Sequence, residues 1–293
     1  MNPPRPQNRA QELLFARFDD FLAQASHGTL AVSRFLSPGE RKSAERYYHA
    51  LGCADQLLFW GGYPTAERVL LYLLPDFYLP FLPEPDAEPT APEPVSDPDF
   101  PVFPTPKDRD PASFLPDPAA RAVDALLIRG SGYRVLSHRD YLGALLSLGL
   151  ERDALGDLAV QDDASAVLFC SADLSPFLLA ELHQVASDAV RVSPYSLSPA
   201  FTDGRRFQPI RDTVASPRLD CVVASLANLS REAAQSLIRS GSVDVDFTTE
   251  LRPDFTLSPP AFLSIHGTGR FRLYPFAGET RKSRLRLVAE KFI

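Results

Sequence analysis

Apolar and polar positions change period several times along this chain, and each change predicts an element. Between residues 8 and 25, Leu13, Leu14, Phe18, Phe21 and Leu22 recur at three- and four-residue steps, the spacing of one helix face. A second helix is expected after Phe35-Leu36-Ser37-Pro38-Gly39-Glu40, capped by Ser37 or Pro38 and stopped at Gly52. Residues 55–60 and 68–74 read as strands joined by a turn at Gly61-Gly62. Residues 1–80 are therefore expected to form an N-terminal α+β domain.

The pattern then stops. Residues 81–119 hold 12 of the 28 prolines and almost no aliphatic period. Alternating Pro with Glu or Asp, as in Pro83-Glu84-Pro85-Asp86, disfavours helix and sheet pairing and repels itself, which predicts an acidic, extended, flexible insertion. Phe100 and Phe103 offer a partner contact there, against the plainer reading of a solvated linker. Order is expected to return near Ala122. The predicted elements are a strand at 125–129, a helix at 140–148 ending at Gly149, and strands at 158–161 and 166–170 around an Asp162-Asp163 turn. A helix capped by Ser175 and running from Pro176 to about residue 186, then a strand at 190–192, complete the set. That order is β-α-β-β-α-β, a ferredoxin-like unit over residues 120–211, the order also used by RNA-recognition modules. Phe169 alone stands near the third strand, so the aromatic RNA-recognition signature is not evident.

Residues 212–293 predict two short helices packed on a small sheet. Leu219, Val222, Val223 and Leu226 make the buried face of the first helix, with Arg218 at its start. Ser230 is a good N-cap for the second, Glu232 sits in its first turn, and Gly241 stops it. Arg231, Gln235 and Arg239 form a polar stripe at four-residue spacing. Val243 to Val245, Phe262 to Ile265 and Arg270 to Tyr274 read as strands. In the last of these, Arg270, Arg272 and Tyr274 point one way and Phe271 and Leu273 the other. Alternation of Arg284 and Arg286 with Leu285 and Leu287 predicts one more strand in the basic tail.

Charge changes the picture more than composition does. The net charge of −7 argues against a nucleic-acid partner until it is divided along the chain. Residues 81–119 hold 2 basic and 9 acidic side chains, net −7, whereas residues 212–293 hold 11 and 9, net +2. Because salt screens charge beyond about 8 Å, local patches matter more than the total. Cys53, Cys170 and Cys221 are odd in number and far apart, and the five histidines show no ligand spacing, so neither a disulfide framework nor a metal site is expected. The cysteines read as small buried apolar residues. No apolar run reaches membrane-spanning length and the N-terminus lacks an apolar signal core, so a cytoplasmic protein is expected. Gly61-Gly62-Tyr63 lacks the Gly-Lys-Ser/Thr of a phosphate loop and reads as a plain turn. His138-Arg139-Asp140 suggests acid–base chemistry, but adjacent residues at a helix start diverge. A helix-start cap with RNA or interdomain contact is the preferred reading.

Two resemblances bear on function. The ordered set Arg218-Leu219-Asp220, Ser230-Arg231, Gly241, Val243 to Val245 and Ile265 to Phe271 resembles the S4-type (αL) RNA-binding domain, over about 60 residues. Such domains usually carry Asn where Asp246 stands. Phe35-Leu36-Ser37-Pro38, Gly61-Gly62-Tyr63 with Ala66-Glu67-Arg68, His138-Arg139-Asp140-Tyr141-Leu142-Gly143-Ala144-Leu145, Gly156-Asp157-Leu158, and residues 278–282 resemble the YlmH family across nearly the whole chain. That resemblance implies a bacterial cytoplasmic RNA-binding protein on the large ribosomal subunit carrying a stranded peptidyl-tRNA. It implies a part in ribosome-associated quality control, and for some members a link to cell division.

The leading expectation is a non-enzymatic adaptor for structured rRNA and tRNA, with no cofactor, metal, membrane or DNA partner. Arg218, Ser230, Arg231, Gln235 and Arg239 are the expected main surface, Arg270, Arg272 and Lys282 a second rim, and His138 and Arg139 contacts from the middle unit. The scattered C-terminal cations are expected to converge into one ledge. Two alternatives remain open. Arg218-Leu219-Asp220 also resembles the triplet of pseudouridine synthases, whose aspartate is catalytic, although only 73 residues follow Asp220. A protein-interaction scaffold working through the acidic insertion is the other.

Overall fold

Aromatic residues on one face fold the N-terminal segment into α1 (Arg9–Ser26), where Phe15 and Phe18 are buried. The computed structural model describes residues 4, 6, 9–82, 110–161, 164–198 and 201–293. After β1 (Ala31–Val32) comes α2 (Pro38–Leu51). Ser37 and Glu40 close a reciprocal capping box, Pro38 occupies the first turn, and Gly52 ends the helix at φ 79°. Tyr48 donates its hydroxyl proton to the Phe18 carbonyl at 2.9 Å, which ties α2 to α1. β2 (Leu57–Trp60) and β3 (Leu70–Leu73) complete a small antiparallel sheet in the order β1-β3-β2. Both are shorter than the sequence predicts, and Ala54–Gln56 is a 3₁₀ turn. β1 is too short to show a period.

Within the expected insertion, residues 110–119 are folded. Pro111–Ser113 and Pro118–Ala120 are 3₁₀ turns, and Leu115 and Ala120 are buried with Phe35, Leu58 and Tyr72. This end of the segment therefore belongs to the N-terminal core. Residues 83–109, with Phe100 and Phe103, lie outside the described residues, as does the Asp162-Asp163 turn.

The middle of the chain gives β4 (Val123–Gly130), α3 (His138–Ser147), β5 (Leu155–Val160), β6 (Ser165–Ser171), α4 (Ser175–Glu181), β7 (Gln184–Val185) and β8 (Asp188–Pro194). The strands pair antiparallel in the order β5-β6-β4-β8-β7, so the two crossover connections interleave. Two expectations fail here. Ser175 is buried inside α4 and makes no cap, and the helix ends at Glu181 instead of residue 186. The reason is local: Ala186 at φ 52° closes a hairpin that pairs Val185 with Asp188.

These two parts were expected as separate domains, yet they form one compact unit, Met1–Gly204. A polar joint links them. Asp157 accepts hydrogen bonds from the Tyr63 hydroxyl at 2.7 Å and from the Glu67 and Arg68 amides at 2.7 and 3.1 Å. Arg68 donates to the carbonyls of Leu155, Phe35 and Arg152 at 2.9–3.1 Å. Gly156 is required by close approach: a Cβ there would stand 2.7 Å from the Phe35 ring and 3.0 Å from the Phe169 carbonyl. The strings at 61–68 and 156–158 are therefore a joint.

The second unit, Arg205–Ile293, opens with β9 (Phe207–Val214), so the boundary expected between 211 and 212 falls inside a strand. It continues through α5 (Leu219–Leu226), α6 (Arg231–Arg239), β10 (Val243–Val245), β11 (Thr248–Thr249), β12 (Ala261–Ile265), β13 (Gly269–Leu273) and β14 (Leu285–Phe292). Its antiparallel sheet has the order β11-β10-β12-β13-β14-β9. Val243, Val245, Leu263, Ile265, Phe271, Leu273, Leu287 and Ala289 face α5 and α6 and form one core with Val222, Val223, Ala234 and Ile238. The fold class is α+β with several antiparallel sheets, as the sequence predicts.

Candidate RNA-binding surface

The first turn of α5 is built unusually. No side chain caps it. Instead, the Leu219 and Asp220 amides donate to the carbonyls of Phe255 and Pro253 at 2.8 and 2.9 Å. An aspartate in a first turn ordinarily serves its own helix amides; here that work is done by the 253–255 segment, and the carboxylate is left for other partners. Asp220 is fully buried. Arg218 donates to it through Nε and Nη2 at 3.1 and 3.2 Å, Arg231 through Nε at 2.9 Å, and Gln235 through Nε2 at 2.9 Å. Burial alone pushes the Asp220 carboxyl up, but the bonds from Arg218, Gln235 and Arg231 outweigh it and hold the group well below the usual carboxylate range.

The result is a fixed pair of guanidinium groups around one inward carboxylate. The Arg218 and Arg231 side chains keep 38% and 55% of their surface exposed. Two cations share the one buried anion, and Asp254 near Arg218 offsets part of the remaining positive charge; the half-exposed guanidinium groups are open to solvent. Both arginines stand at helix starts, where the backbone dipole adds partial positive charge. Arginine forks of this kind suit phosphate oxygens.

Other expected site residues separate from this cluster. Arg239 is exposed at the end of α6 and does not reach Asp220. The Ser230 hydroxyl accepts the Ala233 amide at 3.1 Å, so it acts as the helix cap and presents Arg231 indirectly. Arg270 and Arg272 alternate with the buried Phe271 and Leu273, so they lie on the sheet face turned away from α5 and α6. The expected single ledge is therefore two surfaces on opposite sides of the sheet. Lys282 is exposed in the turn before β14, beside Arg284, which donates to the Thr213 hydroxyl at 3.0 Å. The sequence points to Arg218, Arg231 and Gln235 and, through the Arg218-Leu219-Asp220 triplet, to an aspartate that caps the helix or pairs with an arginine. The structure shows the pairing; what the sequence does not show is the burial that lets one carboxylate join all three side chains.

His138 and Arg139 open α3 in the other unit, and both are exposed. Partial desolvation, then the charge of Arg152, lower the His138 pKa, so the ring is neutral near pH 7. The Asp140 carboxylate is held in the cap, accepting from the Ser137 hydroxyl and amide at 2.7 and 2.9 Å, so His138 and Asp140 do not form an acid–base pair. Cys170 is buried, whereas Cys53 and Cys221 are half-buried. Among the described residues, no three His, Cys, Asp or Glu side chains gather as a metal site, and no helix is long and apolar enough to cross a membrane.

Comparison with known proteins adds the family. The chain is 35% identical over 264 residues to the Ribosome-associated protein quality control protein P2 of Bacillus subtilis (strain 168), covering 89% of this chain and 87% of the relative. The chain belongs to the YlmH family. A family model described as "Putative RNA-binding domain in YlmH" matches residues 129–198, which hold α3, α4 and most of the middle sheet of this YlmH chain. A solved structure of Cell division protein ylmH from Streptococcus pneumoniae aligns with a TM-score of 0.45 and 13% identity, over 66% of this chain and 95% of that one.

Proposed function

We propose that this YlmH-family protein is a ribosome-associated RNA-binding protein. Its C-terminal unit grips structured RNA by phosphate through Arg218 and Arg231. The observation that carries the reading is the Asp220 cluster: a buried carboxylate spends its hydrogen bonds on fixing two half-exposed guanidinium groups. A surface that reads shape and phosphate suits folded RNA, whose helices offer few base edges. Support for the ribosomal setting comes from the name of the Bacillus subtilis relative, and support for RNA from the family model over residues 129–198.

The finer reading is an adaptor on the large ribosomal subunit that engages rRNA and a stalled peptidyl-tRNA and performs no chemistry of its own. The Arg-Leu-Asp triplet fits that role better than a catalytic one, because Asp220 is enclosed and its oxygens accept four hydrogen bonds. The test is cosedimentation with large ribosomal subunits for Arg218→Gln with Arg231→Gln. An Asp220→Asn background avoids stranding a buried charge. The variant is expected to leave the subunit fraction; undiminished cosedimentation removes the cluster from the binding surface.

A further inference from the structure

The far face of the C-terminal sheet carries a row of aromatic rings that neither the core nor the Asp220 cluster uses. Phe247, Phe262, Phe292 and Phe207 follow one another with ring centroids 5.5, 6.3 and 5.0 Å apart, from the β10–β11 turn across β12 and β14 to β9. The Arg272 guanidinium stands 5.4, 5.5 and 5.7 Å from the rings of Phe262, Phe207 and Phe292. Arg270 lies 4.9 Å over Phe292. Glu290 offsets part of the Arg272 charge at 4.0 Å and also accepts from the Tyr274 hydroxyl. Phe207, Phe262 and Phe292 are half-buried, while Phe247 and Arg270 are exposed.

Phe247 is the informative member. It has φ 65° and follows Asp246 at φ 50°. Two positive φ values in a two-residue hairpin loop make a type I′ turn, whose second position glycine fills at least cost. A bulky residue there is a backbone outlier, and such outliers point to use. Asp246 secures the turn by accepting the Phe262 amide at 3.0 Å. The chain thus keeps an exposed ring at a loop position where glycine would relax the backbone.

We propose that this row is a stacking platform for unpaired bases of RNA, distinct from the phosphate-gripping Asp220 cluster. It rests on the RNA-binding reading above and extends it to single-stranded segments. Phenyl rings and guanidinium planes both stack on any base, and the arginines neutralise the strand that carries those bases. An apolar protein partner fits less well, because cations lie over the rings and must also be satisfied. A row of this kind holds about two or three bases on other sheet faces.

The test is fluorescence anisotropy of the full chain with two labelled RNAs: an unstructured strand about eight nucleotides long, and a hairpin. Phe247→Gly relaxes the turn, so a lost signal is not lost folding; its thermal midpoint should not fall. Phe247→Gly and Arg270→Gln are each expected to weaken the unstructured strand by about tenfold. Phe247→Trp should retain it, and hairpin binding should change little. Wild-type protein that binds the hairpin but not the strand overturns the platform alone, whereas binding to neither overturns the RNA reading with it. Unchanged strand binding by Phe247→Gly also overturns the platform.

Discussion

Asp220 is fully buried and accepts hydrogen bonds from three side chains. Its folded-state pKa lies below the unfolded value of about 3.9. The carboxylate therefore contributes stability that is fully present above that unfolded value and is lost as pH falls toward the folded one. Protection factors of the α5 and α6 amides, taken relative to the intrinsic exchange rate at each pH, should thus fall below about pH 4. In Asp220→Asn that acid dependence should flatten, with the unit less stable at neutral pH by about 2 kcal/mol, since hydrogen bonds to charged partners are lost. An Asp220→Asn protein with wild-type acid sensitivity would remove the carboxylate from this role. His138 shows the opposite lesson. The adjacent histidine and aspartate suggest an acid–base pair, but Asp140 is committed to the helix cap, so the two side chains do not work together.

Elements were legible where their signal is local. The capping box at Ser37, the cap at Ser230 and the glycine stops at Gly52 and Gly241 can be read within four residues of each helix end, and those helices form nearly as predicted. The signal failed where partners are remote. β9 mixes Phe, Gln, Pro, Ile, Arg and Asp without a clear period and becomes a strand through β14, with Phe207 opposite Phe292. The side on which Arg270 and Arg272 emerge follows from alternation, but where the helices lie relative to that side does not. The 61–68 string and Asp157, next to Gly156, meet across roughly ninety residues, a pairing that period and propensity cannot reveal. That joint makes a test at this scale. Gly156→Ala should lower the unfolding free energy of the N-terminal unit by about 2 kcal/mol, through overpacking against Phe35. Exchange protection of α5 and α6 should be unaffected. An unchanged midpoint would mean that the contact at Gly156 gives way easily.

At the scale of the whole molecule, an acidic chain carries its nucleic-acid chemistry locally. The excess negative charge sits in residues 81–119, while residues 212–293 are net positive and hold the guanidinium pair at Asp220. Long-range attraction to RNA should therefore be modest, and affinity should depend on short-range phosphate contacts that release counterions. The most direct measurement is the affinity for a structured RNA as a function of salt, comparing the Asp220→Asn protein with the same protein carrying Arg218→Gln and Arg231→Gln. Loss of two phosphate contacts should weaken binding and reduce the slope of log affinity against log salt by about two. An unchanged slope with unchanged affinity would contradict the account, because the two arginines would then be ordering the helices without touching RNA.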